Sequence, residues 1–268
     1  VGDACDAASA VHSFDGEFER LGHGFPVPFH SHDIYPPPLC QVSILLYSVS
    51  MRQPSELLGR LQWQSAISNL EAKQRVAERI AGELKDGDVV GLGSGSTSLL
   101  ALQALAARAQ REGLRFSGIP TSIEVRMACT TLGIPTRSLT EAWPDWYFDG
   151  ADEVDPGRNL IKGRGGAMFQ EKLILRSSGR NFILVDQGKL VERLGTKFAI
   201  PVEVHPLALR LAEAELRALQ ATEVELRHGS GKDGPVITEA GNLILDVRFA
   251  EVAPGLEREI KSITGVLE

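Results

Sequence analysis

From Ser68 onward the apolar positions of this chain fall into two alternating rhythms. Val76, Ala77, Ile80, Ala81 and Leu84 recur at helical spacing, and Asp86-Gly87-Asp88 closes that run. The next four residues, Val89 to Leu92, form a short apolar run of the kind a buried strand shows, and Gly93-Ser94-Gly95-Ser96-Thr97 separates it from a helical pattern over 98–111. The rhythm then repeats, with strands predicted over 116–120 and 135–139 and a helix over 122–132 between them. Trp146-Tyr147-Phe148 reads as a strand end, a short strand ends at Ile161, a helix spans 167–178 and a strand spans 181–186. Strands alternating with helices predict an α/β domain with a parallel sheet and helical crossovers, here over 51–197.

From Phe198 the rhythm changes. A strand is predicted over 199–204, then an amphipathic helix over 206–220 with Leu207, Leu211, Ala214 and Leu219 facing inward. An alternating strand follows over 223–227, and 236–238 with 243–247 form a hairpin about Ala240-Gly241-Asn242. A helix over 254–263 has Pro254 at its start. The order β-α-β-β-α calls for one more strand, and Gly265-Val266-Leu267-Glu268 reads as its first residues. Residues 198–268 are thus expected to form a second, smaller α+β lobe of ferredoxin-like type, C-terminally incomplete.

Residues 1–50 differ from both regions. They carry His12, His23, His30 and His32, the Pro36-Pro37-Pro38 run and little periodicity. Their apolar run over 42–49 is too short to span a bilayer and too far from the start for a secretory signal. The first methionine is Met51. The expectation is a disordered or loosely packed segment, translated upstream of a natural start, with a regulatory extension as the alternative.

Composition narrows the function classes. A hydrophobic content of 43% with 24% charged residues is that of a soluble globular chain, and a net charge of −7 argues against general nucleic-acid binding. An anionic small molecule stays open, because local lysines can oppose the overall sign. Cys5, Cys40 and Cys129 are far apart and odd in number, which suits a reducing cytoplasm. His205 and His228 have no Cys or His at ligand spacing, so no metal site is expected there.

Two stretches carry the candidate chemistry. In the first, a strand, the glycine-rich turn Ser94-Gly95-Ser96-Thr97 and a helix N-terminus form an anion cradle of bare N–H groups. A dinucleotide fingerprint wants glycine at position 96, where Ser stands, and the P-loop's Gly-Lys-Ser/Thr is missing. Thr121-Ser122 lies at another strand-to-helix junction and reads as a cap. The second stretch is Asp149-Gly150-Ala151-Asp152-Glu153-Val154-Asp155, followed by Lys162-Gly163-Arg164-Gly165-Gly166-Ala167 and Glu171. Asp149 and Asp152 would leave the carboxyl edge of a strand, Lys162 enters a glycine loop, and Glu171 lies in the first turns of a helix. Acids and a lysine thus converge on the sheet edge where open α/β folds place ligands. Lys189 follows the 181–186 strand at the same edge.

These motifs, from about Gln64 to the end, resemble the ribose-5-phosphate isomerase A family. The resemblance implies a Rossmann-like main domain and an aldose–ketose isomerase of the pentose phosphate route, cytoplasmic, homodimeric or homotetrameric. It implies a sugar-phosphate substrate, no metal or nucleotide cofactor, and no membrane or nucleic-acid partner. By matching positions, Glu171 would be the base, Lys162 the oxyanion stabiliser and Asp149 the acid assisting ring opening. Asp152 would hold hydroxyls, and Ser94, Gly95, Ser96 and Thr97 would hold the phosphate. Lys73 and Lys189 would add ligand contacts, and Gly150, Ala151, Gly163, Arg164 and Gly165 would line the sugar. Ser94 stands where threonine is common, and Arg164 stands where glycine is common, so it is either strained at φ > 0 or an extra cation beside the sugar. Family members also continue past the position of Glu268. The rival functions are a non-catalytic sugar-phosphate sensor, which would need no base, and a dinucleotide-binding oxidoreductase.

Overall fold

The computed structural model describes residues 66–268, Lys232 apart. The expectations for 1–50, and for the start of the main domain at 51–65, lie outside the described residues. Helix α1 (Leu70–Ala81) packs Ala77, Ile80 and Ala81 into the core and leads through Leu84 to strand β1 (Val89–Leu92). Helix α2 (Ser96–Glu112) starts two residues earlier than its pattern suggests. Gly95, at φ 89°, turns the chain directly out of the strand loop, and Gly113, at φ 70°, ends the helix. Its buried stripe of Ser98, Ala101, Leu102, Leu105 and Ala109 follows the i, i+3, i+4 spacing.

Strand β2 (Ser117–Pro120), helix α3 (Ile123–Thr131) and strand β3 (Trp146–Asp149) continue the crossover rhythm. The strand expected over 135–139 is reduced to one parallel bridge between Thr136 and Gly118. Pro135 has no N–H to give a ladder, so this edge stops at two backbone hydrogen bonds, Gly118 N to Pro135 O and Arg137 N to Gly118 O. Strands β4 (Glu153–Val154) and β5 (Leu160–Ile161) form a separate antiparallel hairpin that carries Lys162. Helix α4 (Met168–Ser177) and strand β6 (Arg180–Ile183) complete the unit. The main sheet runs β2-β1-β3-β6, all parallel, around a core that includes Val90, Leu92, Leu105, Trp146 and Phe148.

The smaller sheet is antiparallel, with β7 (Ile200–Val204) and β8 (Glu223–Leu226) on either side of β9 (Leu243–Arg248). The last residues run along the free side of β7. Val266 bridges Val204, Glu203 N donates to Glu268 O at 2.6 Å, and Leu267 N donates to Glu203 O at 2.8 Å. The spatial order of last segment, β7, β9, β8 is that of a ferredoxin-like sheet. Of the hairpin expected between 236–238 and 243–247, only the turn and the second strand survive, the turn closed by Thr238 N to Asn242 O at 2.9 Å. Residues 236–238 are not a strand, since β9 spends both edges on β7 and β8. Helix α6 (Leu256–Lys261) has Gly255 as its N-cap, just after Pro254. No helix among the described residues is long and apolar enough to cross a membrane.

Helix α5 (Leu209–Ala218) packs the opposite face from the one its pattern predicts. Leu207 is 93% exposed, Leu211 is 46% exposed and Ala214 is also outside, whereas Ala212 and Leu216 are fully buried. Pro206 opens a 3₁₀ turn over Pro206–Ala208, which sets the helical phase before α5 begins. Ala208, Leu209, Ala212, Leu216 and Leu219 then form the stripe that meets Val202, Val204, Leu245 and Val247. Leu219 alone of the expected set turns inward. Leu216→Ala should therefore cost about 2–5 kcal/mol in urea unfolding. Leu207→Ala and Leu211→Ala should stay within about 0.5 kcal/mol. Costs of the reverse order would place the other face of α5 against the sheet.

Candidate active site

The chain leaves the carboxyl ends of β1 and β3 in opposite directions, toward β2 and toward β6. Adjacent strands that diverge in this way open a crevice at the topological switch point. Glycine shapes this crevice. A Cβ on Gly93 would sit 2.3 Å from Asp149 Oδ1 and 2.5 Å from Phe148 O, so only glycine lets the aspartate lie across the end of β1.

Side chains alternate along β3. Phe148 enters the main core, while Tyr147 and Asp149 share the face under α4. Asp149 is 2% exposed, and its Oδ2 accepts from Tyr147 OH at 2.5 Å and from Lys162 Nζ at 2.9 Å. Its Oδ1 accepts from Gly150 N at 2.7 Å. Lys162 Nζ also donates to Gly150 O at 2.5 Å and lies 3.2 Å from Glu171 Oε2. Ser94 Oγ donates to the other Glu171 oxygen at 3.0 Å. The result is one ammonium between two buried carboxylates, with Ser94 holding the outer one.

Burial and the neighbouring Asp149 charge push the Glu171 carboxyl up to about 7, against smaller opposing effects of Lys162 and Ser94. Burial pulls the Lys162 ammonium down, but Asp149 and Glu171 together outweigh it and hold it above the ordinary lysine value. Burial and the same two carboxylates keep the Tyr147 phenol protonated, as its donated hydrogen bond requires.

The turn expected to cradle an anion runs into the start of α2. Ser96 and Thr97 are its first residues, so their backbone N–H groups lie among the donors a helix leaves unpaired. Lys73, 5% exposed on α1, donates to Ser96 Oγ at 3.1 Å and so reaches this loop from the side. Burial lowers its pKa, and Lys189 lowers it further while Asp186 opposes. Ser94 is spent on Glu171 rather than on the helix start.

On the other side, Arg164 and Lys189 both lie against the Phe198 ring, at 5.2 and 5.5 Å from its centroid. Gly163 and Gly166 take the positive φ values of this loop, 101° and 82°, and Arg164 does not. Arg164 is therefore an unstrained extra cation. Asp152 Oδ2 accepts from Arg164 N at 3.2 Å, which ties the loop to the acidic stretch. Ala151 is buried and Gly165 is exposed beside Ser94, 3.7 Å from its hydroxyl as measured from an added Cβ. Ser122 caps α3 through Val125 N at 3.2 Å, as its position predicts.

Three residues of this site are not singled out by sequence reasoning. Tyr147 is two positions before Asp149, on the same strand face, and that spacing would have found it. Phe198 stands at the change of rhythm and reads only as a boundary. Glu153, fully buried, accepts backbone N–H bonds from Gly195, Lys197 and Phe198 at 2.6, 2.6 and 2.7 Å and so fixes the turn that presents the Phe198 ring.

The family model for ribose 5-phosphate isomerase A (phosphoriboisomerase A) matches residues 117–268. Curated relatives named ribose-5-phosphate isomerase A include one from Methanothermobacter thermautotrophicus, 44% identical over 74% of this chain and 88% of its own length. Another, from Thermococcus kodakarensis, is 45% identical over 74% of this chain and 88% of its own length. Among solved structures, ribose 5-phosphate isomerase A from Methanocaldococcus jannaschii superposes with a TM-score of 0.72 at 44% identity, covering 75% of this chain and 90% of that one. A D-ribose-5-phosphate isomerase in complex with phospho-erythronic acid gives 0.71 at 39% identity, with the same coverage of 75% and 90%.

The geometry sets a titration. Glu171's value in the folded chain lies above its ordinary 4.5, so between there and about 7 the folded chain binds the extra proton. Stability therefore falls as pH rises through that window, and Glu171→Gln should remove this part of the slope. Carboxyl ¹³C NMR should place the Glu171 midpoint near 7 and show it falling in Asp149→Asn, where the repelling charge is gone. A midpoint in the ordinary carboxylate range would mean that Glu171 is solvated.

Proposed function

Because the chain belongs to the ribose 5-phosphate isomerase A family and is an enzyme interconverting D-ribose 5-phosphate and D-ribulose 5-phosphate, we propose roles for the residues that do so. The observation that carries them is Glu171, a buried carboxylate whose proton affinity is raised to about 7 and whose two oxygens are fixed by Ser94 and Lys162. A base of that strength is half ionised at neutral pH and can both take and return a proton. In the open-chain sugar Glu171 takes the C2 proton, and the electron pair moves to the carbonyl oxygen at C1 to give an enediolate. The same carboxyl returns the proton to C1, while a hydroxyl proton passes from O2 to O1. One carbon is oxidised and its neighbour reduced, so the balance needs no external oxidant or reductant.

Lys162 donates to the oxygen on which charge develops, a contribution of about 3 kcal/mol for one preorganised donor. Its ammonium is held at that place by Asp149, which is also the acid available for ring opening. The N–H groups at Ser96 and Thr97, with Lys73 behind them, receive the phosphate, and Arg164 and Lys189 flank the sugar's entry from the Phe198 side. Gly150, Ala151, Asp152, Gly163 and Gly165 line the path between. The phospho-erythronic acid of the solved relative supports this reading, since the planar carboxylate of a phosphorylated sugar acid resembles the enediolate. A sugar-phosphate sensor has no use for a desolvated base beside a lysine, so the enzyme reading accounts for more of the site. A cytoplasmic setting and a homodimer or homotetramer complete the proposal, on the spacing of the cysteines and the family resemblance.

Glu171→Gln should lose about 10²–10⁴-fold in kcat with sugar-phosphate binding roughly intact. A variant retaining more than about a tenth of the activity removes the base assignment. Lys162→Ala should lower kcat about a hundredfold, and a rise in KM alone would leave it only a ground-state contact. Ser96→Asp, which sets a negative charge against the α2 N-terminus, should raise KM for ribose 5-phosphate steeply, and an unchanged KM would move the phosphate elsewhere.

A further inference from the structure

Glu203 is a buried charged residue that neither the fold nor the reaction has so far explained. It lies in the middle of β7 and is fully buried, between Val202 and Val204, whose side chains enter the small-lobe core. By strand alternation Glu203 points to the opposite face, away from that core. There it meets three donors. Oε1 accepts from Thr238 Oγ1 at 2.6 Å and from Asn242 Nδ2 at 2.9 Å, both in the tight turn before β9. Oε2 accepts from Phe169 N at 3.0 Å, which belongs to α4.

That last bond crosses from the small lobe to the helix of the catalytic glutamate. Phe169 is the second residue of α4, and its N–H is one of the donors that a helix start leaves without an internal partner. The α4 N-cap is Ala167, which offers no side-chain cap. Glu171 lies two residues further on, and its own N–H makes an intrahelical bond to Ala167 O at 2.8 Å. A second backbone tie, Glu239 N to Gly166 O at 3.1 Å, docks the same start of α4 on the same turn.

We infer that Glu203 is a positioning residue: a cap supplied from the small lobe that fixes the first turn of α4, and with it the placement of Glu171 against Lys162 and Ser94. A carboxylate suits this place better than an uncharged cap, because it accepts all three bonds and faces the positive end of the helix dipole. Its position is over-determined by Thr238 and Asn242, so it acts as a fixed post. The small lobe thereby sets the reach of a base whose carboxylate must be placed to within a fraction of an ångström relative to the substrate carbon.

This inference rests on Glu171 as the base, and the test separates the two claims. Glu203→Met keeps the length and removes every acceptor, and Val247→Ala, a fully buried position of the small-lobe core, serves as the control for lost packing alone. In Glu203→Met, kcat should fall about tenfold or more with KM within about threefold, as a misplaced catalytic group requires. The ¹³C-detected midpoint of Glu171 should also leave its wild-type value, while both stay in place in Val247→Ala. If Glu203→Met does not fold, Asn242→Ala decides, since it removes one anchor of the carboxylate and should move kcat and the midpoint in the same direction by a smaller amount. A midpoint and kcat equal to those of Val247→Ala overturn the proposal. A moved midpoint with kcat unchanged upholds the positioning and overturns instead the role of Glu171 as base.

Discussion

The ammonium of Lys162 between the carboxylates of Asp149 and Glu171 is the interaction on which the site depends. Two buried carboxylates this close cannot both stay ionised without a cation, and a cation buried without them would be driven to give up its proton. Breaking such a cluster from one side costs about 3–5 kcal/mol, because it leaves an uncompensated charge. The three residues come from a strand end, a hairpin loop and a helix, so the cluster forms only when β3, β5 and α4 are already in place. Burial in the same arrangement, with the Asp149 charge added to it, raises the proton affinity of Glu171 toward neutrality. Structure and chemistry here have one electrostatic cause.

Around the cluster, buried polar groups act as fixed supports. Tyr147 holds one oxygen of Asp149, Ser94 holds one oxygen of Glu171, and Glu153 gathers three backbone donors to set the Phe198 turn. None of these groups is left without a partner, as the cost of an unsatisfied polar atom in a closed site demands. Two cations, Arg164 and Lys189, then share one aromatic ring. A chain of net charge −7 thus gathers two cations on one ring, where local charge opposes the overall sign.

The small lobe contributes no residue to the charged cluster, yet it touches the elements that carry it. Arg227, paired with Asp246, donates to Arg164 O at 2.9 Å and so holds the loop after Lys162. Glu203 and the Glu239 backbone hold the start of α4. The small lobe thus restrains both the loop after Lys162 and the start of the helix that carries Glu171. Rigid elements place groups more accurately than free loops do, so these ties steady the positions of Lys162 and Glu171.

The parallel-sheet rhythm, the glycine-rich turn before α2 and the convergence of Asp149, Lys162 and Glu171 on one sheet edge were legible in the chain itself. Strand and helix periods are local, and a glycine-rich turn between a strand and a helix has few other uses. The face of α5 was not legible, because a 3₁₀ turn at Pro206 resets the helical phase and both faces carry apolar residues. Nor was the loss of the 135–139 strand, which depends on an edge where Pro135 has no hydrogen to give. The sequence alone also left two conformations open for Arg164, and the fold chose the unstrained one by assigning positive φ to Gly163 and Gly166. What the chain by itself determined was which chemical groups exist and at which element ends they lie. Their pairing across the chain was decided only by the tertiary structure: that Ser94 serves Glu171 and not the helix start, and that Glu203 reaches across to Phe169. Hydrogen bonds between residues 30 to 80 positions apart depend on how strands and helices dock, and no local pattern records that.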